Sequence, residues 1–196
     1  MHLLKGLTTE GFLGLPKAAP VHLTYIPDTF VPYNCLKYYP NRHIGVHFFI
    51  HDYRFTRVWS HLEETLRSLA KYDVVIATDD SLFLDVPLIA NLRNLYKNRL
   101  FTAVGQRMGL TVIPSFSCGN PKDINLYCDG LPQGGCIAVG GMGTNKSPAN
   151  RIIYEYCLRE MCKQKRPDLL LLYRGDPPSG VDVPIYKIPT FIEKFQ

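Results

Sequence analysis

Residues 44–80, IGVHFFIHDYRFTRVWSHLEETLRSLAKYDVVIATDD, pass from one hydrophobic period to another and back again. IGVHFFI (44–50) is a short strand-like run. In FTRVWSHLEETLRSLAKY (55–72), Val58, Trp59, Leu62, Leu66 and Leu69 recur at helical spacing, and Ser60 with Glu63 matches a capping box. DVVIATDD (73–80) returns to a β-branched run of the kind buried on both faces of a parallel sheet. Strand, helix and strand at this spacing predict a right-handed βαβ crossover.

The rhythm repeats downstream. A long helix is expected from Val86 to Met108, with Gly109 as its C-terminal cap, followed by strands at LTVIPSF (110–116) and CIAVGG (136–141). A helix over 150–166 ends at Pro167, and DLLLLY (168–173) and VPIYKI (183–188) complete the strands. The expected fold is α/β, with a mainly parallel sheet of five or six strands and flanking helices. That is too few for an eight-stranded β/α barrel, so an open doubly wound sheet is the first choice and a truncated β/α barrel the second. Residues 1–196 read as one domain, in which 1–42, with TYIPDTFVPYN, form an irregular N-terminal arm.

Bulk composition agrees with a chain that buries a core: 46% hydrophobic and 20% charged residues. The apolar runs fall far short of the ~20 residues of a membrane-spanning helix. Lys5, Thr8, Thr9 and Glu10 interrupt the apolar N-terminus before a signal-peptide core develops, so a cytoplasmic protein is expected. A net charge of +5 permits attraction to phosphate polyanions without requiring it. The six cysteines include no C-x-x-C pair and read as reduced thiols, with Cys118, at a strand end, the one to test for reactivity.

Ligands of parallel α/β folds bind outside the carboxyl ends of the strands, where helix N-termini converge. This rule collects HDYRF (51–55), DDSLFLD (79–85), SFSCGN (115–120), GGMGTNKS (140–147) and RGDPPSG (174–180) on one rim. Asp79 and Asp80, joined by Asp52 from the neighbouring strand, form a candidate catalytic trio that would take a divalent metal as cofactor, with His51 beside it. The same carboxylates also suit helix and loop capping. His47 and His51, about 13 Å apart on a strand at ~3.3 Å per residue, are too distant to chelate one ion. GGMGTNKS resembles a phosphate-binding loop except that Asn145 stands in for its last glycine, which makes Gly141, Gly143, Lys146 and Ser147 candidate anion contacts. Arg174 is a further candidate. Arg93, Lys97, Arg99 and Arg107, near Tyr96 and Phe101, form either a stripe for single-stranded nucleic acid or a solvated helix face.

The stretches VHFFIHDYRFTRVW, FLDVPLIANLRNLYKNR, GLTVIPSFS and DGLPQGGCIAVGGMG together resemble an uncharacterised domain-of-unknown-function family of bacteriophages, plasmids and integrative elements. In that family a His-Phe-Phe strand ends in Asp-Tyr-x-Phe-x-x-x-Trp, here His47, Phe48, Phe49, Asp52, Tyr53, Phe55 and Trp59. The chain departs from the pattern at His51, where an acidic residue is usual, and at Phe116 or Ser117, where tryptophan is usual. The resemblance implies a mobile-element context and carries no reaction. The leading expectation is an accessory protein that binds nucleic acid or a nucleotide at the strand C-terminal rim. The alternatives are a metal-assisted hydrolase or nuclease using Asp52, Asp79 and Asp80, and an inhibitor that captures a host protein through Tyr33, Tyr38 and Tyr39. No membrane partner is expected.

Overall fold

The computed structural model describes residues 2–39, 42–141 and 147–189. A small antiparallel hairpin, β1 (Thr9–Glu10) and β2 (Leu15–Pro16), opens the chain. Parallel strands follow: β3 (Phe30–Pro32), β4 (Gly45–Phe48), β5 (Val74–Thr78), β6 (Val112–Ile113), β7 (Ser115–Phe116), β8 (Cys136–Gly140), β9 (Leu169–Tyr173) and β10 (Ile185–Ile188). The helices are α1 (Arg57–Ser60), α2 (Leu62–Leu69), α3 (Leu88–Arg107), α4 (Ile124–Cys128) and α5 (Pro148–Lys165). The expected α/β fold with a parallel sheet is therefore present, and every expected strand is found.

The pairing order is β3-β4-β5-β6 and β7-β8-β9-β10, in two sheets of four. Pro114 separates β6 from β7. It lacks an N–H for the ladder, so the first half of this strand bonds to β5 and the second half to β8. Strand neighbours follow chain order throughout, with no reversal of the kind that defines a doubly wound sheet. Of the two arrangements expected, the sequential one matches the truncated β/α barrel.

Alternating side chains sort into an inside and an outside. Phe30, Val74, Ile76, Ile113, Ala138, Leu171 and Ile188, from six strands, pack together with Phe49 and Tyr173 in a cluster that contains no helical residue. Their outward neighbours meet the helices. Val46, Phe48, Val75 and Val112 pack on Val58, Leu66 and Phe101 of α1, α2 and α3, while Ile137, Val139, Leu170 and Leu172 pack on Tyr127, Leu158 and Met161 of α4 and α5. Helices thus cover one face of a curled sheet, and strand side chains fill the other. Two glycines make room for this filling: a Cβ on Gly45 would lie 2.2 Å from the Phe30 ring, and one on Gly140 would lie 2.9 Å from Phe49.

Local departures from the sequence reading have physical reasons. The helix expected over 55–72 is broken at His61, and Ser60 ends α1 instead of capping α2. The arm before residue 43 contributes β3, which pairs in parallel with β4. Gly109 has a positive φ of 87° and its N–H bonds to the Gln106 carbonyl, as expected of the α3 cap. Arg166 ends α5 in the left-handed region just before Pro167.

Candidate site at the carboxyl mouth of the barrel

A cavity of about 720 Å³ lies at the carboxyl ends of the strands. Ile50 and His51 border it from the end of β4, Asp79 through Asp85 from β5, and Phe116 to Cys118 from β7. Gly140 closes it from β8, and Asn150, Ile153, Tyr154 and Cys157 supply a wall from α5. The volume lies within the ~300–1,000 Å³ range of small-molecule sites. Its walls mix apolar side chains with polar ones, the carboxyl groups of Asp79, Asp80 and Asp85 among them.

Asp79 follows β5 directly, and its carboxyl lies beside Gly140 and Phe49. Burial pushes it up to about 7, opposed by a hydrogen bond with Ser117 and reinforced by the charges of Asp52 and Asp80. Its Oδ1 is buried and has no hydrogen-bond partner among the described residues, as is also true of Asp80 Oδ2 and Tyr154 Oη. Asp80 is also raised by burial, but Lys97 Nζ lies 3.0 Å from its Oδ1 and favours the charged form. Lys97 itself lies over the Trp59 ring, 5.1 Å from its centroid.

Asp52 has a different employment. Its Oδ2 accepts from the Ser81 N–H at 3.1 Å and its Oδ1 from the Ser81 hydroxyl at 2.9 Å, so it ties the β4 loop to the β5 loop. The β5 loop is clamped from beneath by a polar stripe of α3. Asn91 bonds both the N–H and the carbonyl of Phe83, at 3.0 and 2.8 Å, and Asn94 donates to the Ser81 carbonyl at 2.8 Å. Asn91, Asn94 and Lys97 recur every three residues and so face one way. The sequence reading followed the leucines of this helix and missed the stripe, although its helical period was visible.

Deeper in the barrel, His47 is fully buried with its ring centroid 4.4 Å from that of Tyr173. Its Nδ1 accepts from the Phe49 N–H at 3.2 Å. Burial, aided by the charge of Arg174, pulls the imidazole down to about 3. It is a neutral interior group. His51 is exposed and stacks on Tyr53, so the two histidines do not meet.

The remaining candidates occupy the adjoining rim. Gly141 is buried at the end of β8, where a Cβ would lie 2.2 Å from the Arg174 carbonyl oxygen, so only glycine fits without displacing backbone. Ser147 caps α5 by accepting from the Asn150 N–H at 3.1 Å. Arg174 has a φ of 58°, is exposed and lies over the Tyr173 ring; neighbouring Asp176 pairs with Arg151. Gly143 and Lys146 fall outside the described residues. Asp79, Asp80, His51 and the first turn of α5 therefore share one cavity, while Asp52 braces its edge. Among the described residues, no group of three His, Cys, Asp or Glu side chains could hold a metal ion.

The basic series on α3 does not form a surface. Arg99 is fully buried, donates to the carbonyls of Asp129, Ser115 and Tyr127, and is pulled down to about 10 by burial. Arg107 donates to the carbonyls of Leu3 and Lys5, and Lys97 serves Asp80. Both surface readings of the stripe fail at Arg99. Tyr33 is stacked on Phe48, with centroids 4.7 Å apart, whereas Tyr38 is exposed.

The model of the family described as Domain of unknown function (DUF4417) matches residues 7–191. The chain belongs to this family. It is 32% identical over 155 residues to the Gene 1 protein of Mycobacterium phage D29, an alignment covering 75% of this chain and 57% of that protein. It is 34% identical over 129 residues to the Gene 1 protein of Mycobacterium phage L5, covering 66% and 56%. The chain thus spans little more than half the length of these phage relatives. No solved structure matches it. The expected membership of an uncharacterised phage family holds, and no helix among the described residues is long and apolar enough to cross a membrane.

Proposed function

We propose that this phage-family domain binds a nucleotide in the cavity at the carboxyl mouth of its barrel. The observation that carries the reading is the combination, in one cavity, of apolar side chains, the Asp79 carboxyl and the first turn of an 18-residue helix. Phe116, Leu82 and Ile153 offer a planar base apolar contact, and Asp79 offers its polar edge a hydrogen-bond donor or acceptor according to its protonation. The phosphate takes the other end. Asp79, Asp80 and Asp85 repel it, while the partial positive charge at the start of α5 attracts it. Isothermal titration of the full chain with nucleoside monophosphates and the matching nucleosides tests this orientation. Nucleotides should bind more tightly, with an advantage that shrinks as salt rises. Failure of every nucleotide to bind at millimolar concentration would reject the reading.

A second reading, acid–base catalysis on the bound ligand, is favoured by one observation: the Asp79 carboxyl is pushed up to about 7, near the optimum for proton transfer at neutral pH. It needs Asp79 alone, because Asp52 is held by Ser81 and Asp80 by Lys97. Loss of turnover in Asp79→Asn with ligand affinity retained would separate catalysis from binding.

A further inference from the structure

Cys118, just beyond β7, and Cys157, on α5, both border the cavity, where the two elements meet and their sulfurs lie 3.0 Å apart. A disulfide bond is about 2.05 Å long, so closure requires an approach of about 1 Å. Cys118 is half-buried and Cys157 is buried. The residue next to Cys118 is Ser117, the hydrogen-bond partner of Asp79. The other four cysteines, Cys35, Cys128, Cys136 and Cys162, are free thiols.

We propose that Cys118 and Cys157 form a redox site in the cavity wall that reacts with small disulfides and closes into a reversible intramolecular bond. The hydrogen bond between the two sulfurs holds the Cys157 thiol below its usual range and the Cys118 thiol above it, so when the pair loses one proton the charge rests on Cys157 and the remaining proton on Cys118. Both residues border the cavity, and Cys118 is the more exposed of the two. Cys157 takes the Cys118 proton as Cys118 Sγ attacks one sulfur of the small disulfide, forms a mixed disulfide and expels one thiolate, which takes up the proton the pair had released. The Cys157 sulfur, having lost its own proton, then attacks Cys118 Sγ and expels the second small thiolate, which is protonated in turn. Two protein thiols are oxidised, one small disulfide is reduced to two thiols, and no other reactant is needed. The bond ties α5 to the end of β7 beside the Ser117–Asp79 contact.

The test is to incubate the full chain with oxidised glutathione, alkylate the remaining thiols and map peptides without reduction. The expected product is a cross-linked pair of peptides containing Cys118 and Cys157, two hydrogens lighter than their sum and separated by dithiothreitol. Cys118→Ser should lose the cross-link. Wild-type mapping decides alone if that variant does not fold. Recovery of Cys118 and Cys157 as separately alkylated peptides would overturn the proposal, as would a stable glutathione adduct on Cys118 or a different cysteine pairing.

Discussion

Phe49, just past β4, stacks on Tyr173 at the end of β9, with ring centroids 5.2 Å apart and planes 8° from parallel. β5, the β6/β7 strand and β8 lie between their strands in the pairing order. Neighbouring strands are ~4.8 Å apart, so in a flat sheet these rings would be on the order of 20 Å from each other. Their contact measures the curl that turns the strand ends toward one cavity.

Phe49→Ala therefore removes a strut across the barrel. A loss of about 3–5 kcal/mol in stability is expected, as for other buried phenylalanines. Chemical denaturation checks it. A loss below about 1 kcal/mol would mean that the interior is not packed around this ring.

Asp79 and His47 give opposing pH dependences. Asp79 has a folded value near 7 against 3.8 when unfolded, so the folded state holds the extra proton and its stability falls as pH rises through this window. His47 has a folded value near 3 against 6.5 when unfolded, so its contribution is lost as pH falls from 6.5 toward 3. Asp79→Asn should stabilise the protein above pH 7 by on the order of 1–2 kcal/mol, allowing for water in the cavity, with the gain vanishing near pH 4. His47→Phe should leave a profile in which stability declines as pH rises. Urea titrations across pH 4–8 compare the slopes.

Asp52→Ala strands two donors of Ser81 and frees the edge of the cavity. The expected cost is about 1–3 kcal/mol. Amide exchange should rise first in 79–85, and uniform protection there in the variant would refute the bracing role.

Arg99→Lys keeps the charge but cannot reach three separate carbonyls with one ammonium group. A loss of about 3 kcal/mol or more is expected, because a buried cation and at least one carbonyl lose partners. Thermal unfolding would reveal it, and an unchanged midpoint would contradict the assignment.

The strands were legible because apolar runs such as VVIAT and LLLLY are buried on both faces and need no partner to declare themselves. The curl was not, since it depends on Phe30 and Phe49 crossing space left by Gly45 and Gly140, contacts between residues far apart in the chain or on different strands. β3 escaped notice because three residues carry no period. The rim rule placed Asp79 and Asp80 beside His51, but it could not distinguish Asp79 from Asp52, whose oxygens are occupied by Ser81 from a loop 29 residues away. Arg99 misled for the same reason: its helical position looks like its basic neighbours, and the carbonyls that bury it come from residues 115–129.

Native mass spectrometry of the full chain with an equimolar mixture of nucleoside monophosphates reads occupancy of the cavity without a label. One nucleotide per chain is expected, absent after denaturation and absent from Asn150→Trp, which fills the cavity at the first turn of α5. A bare wild-type mass, or equal loading of the Asn150→Trp variant, would contradict nucleotide binding in the cavity.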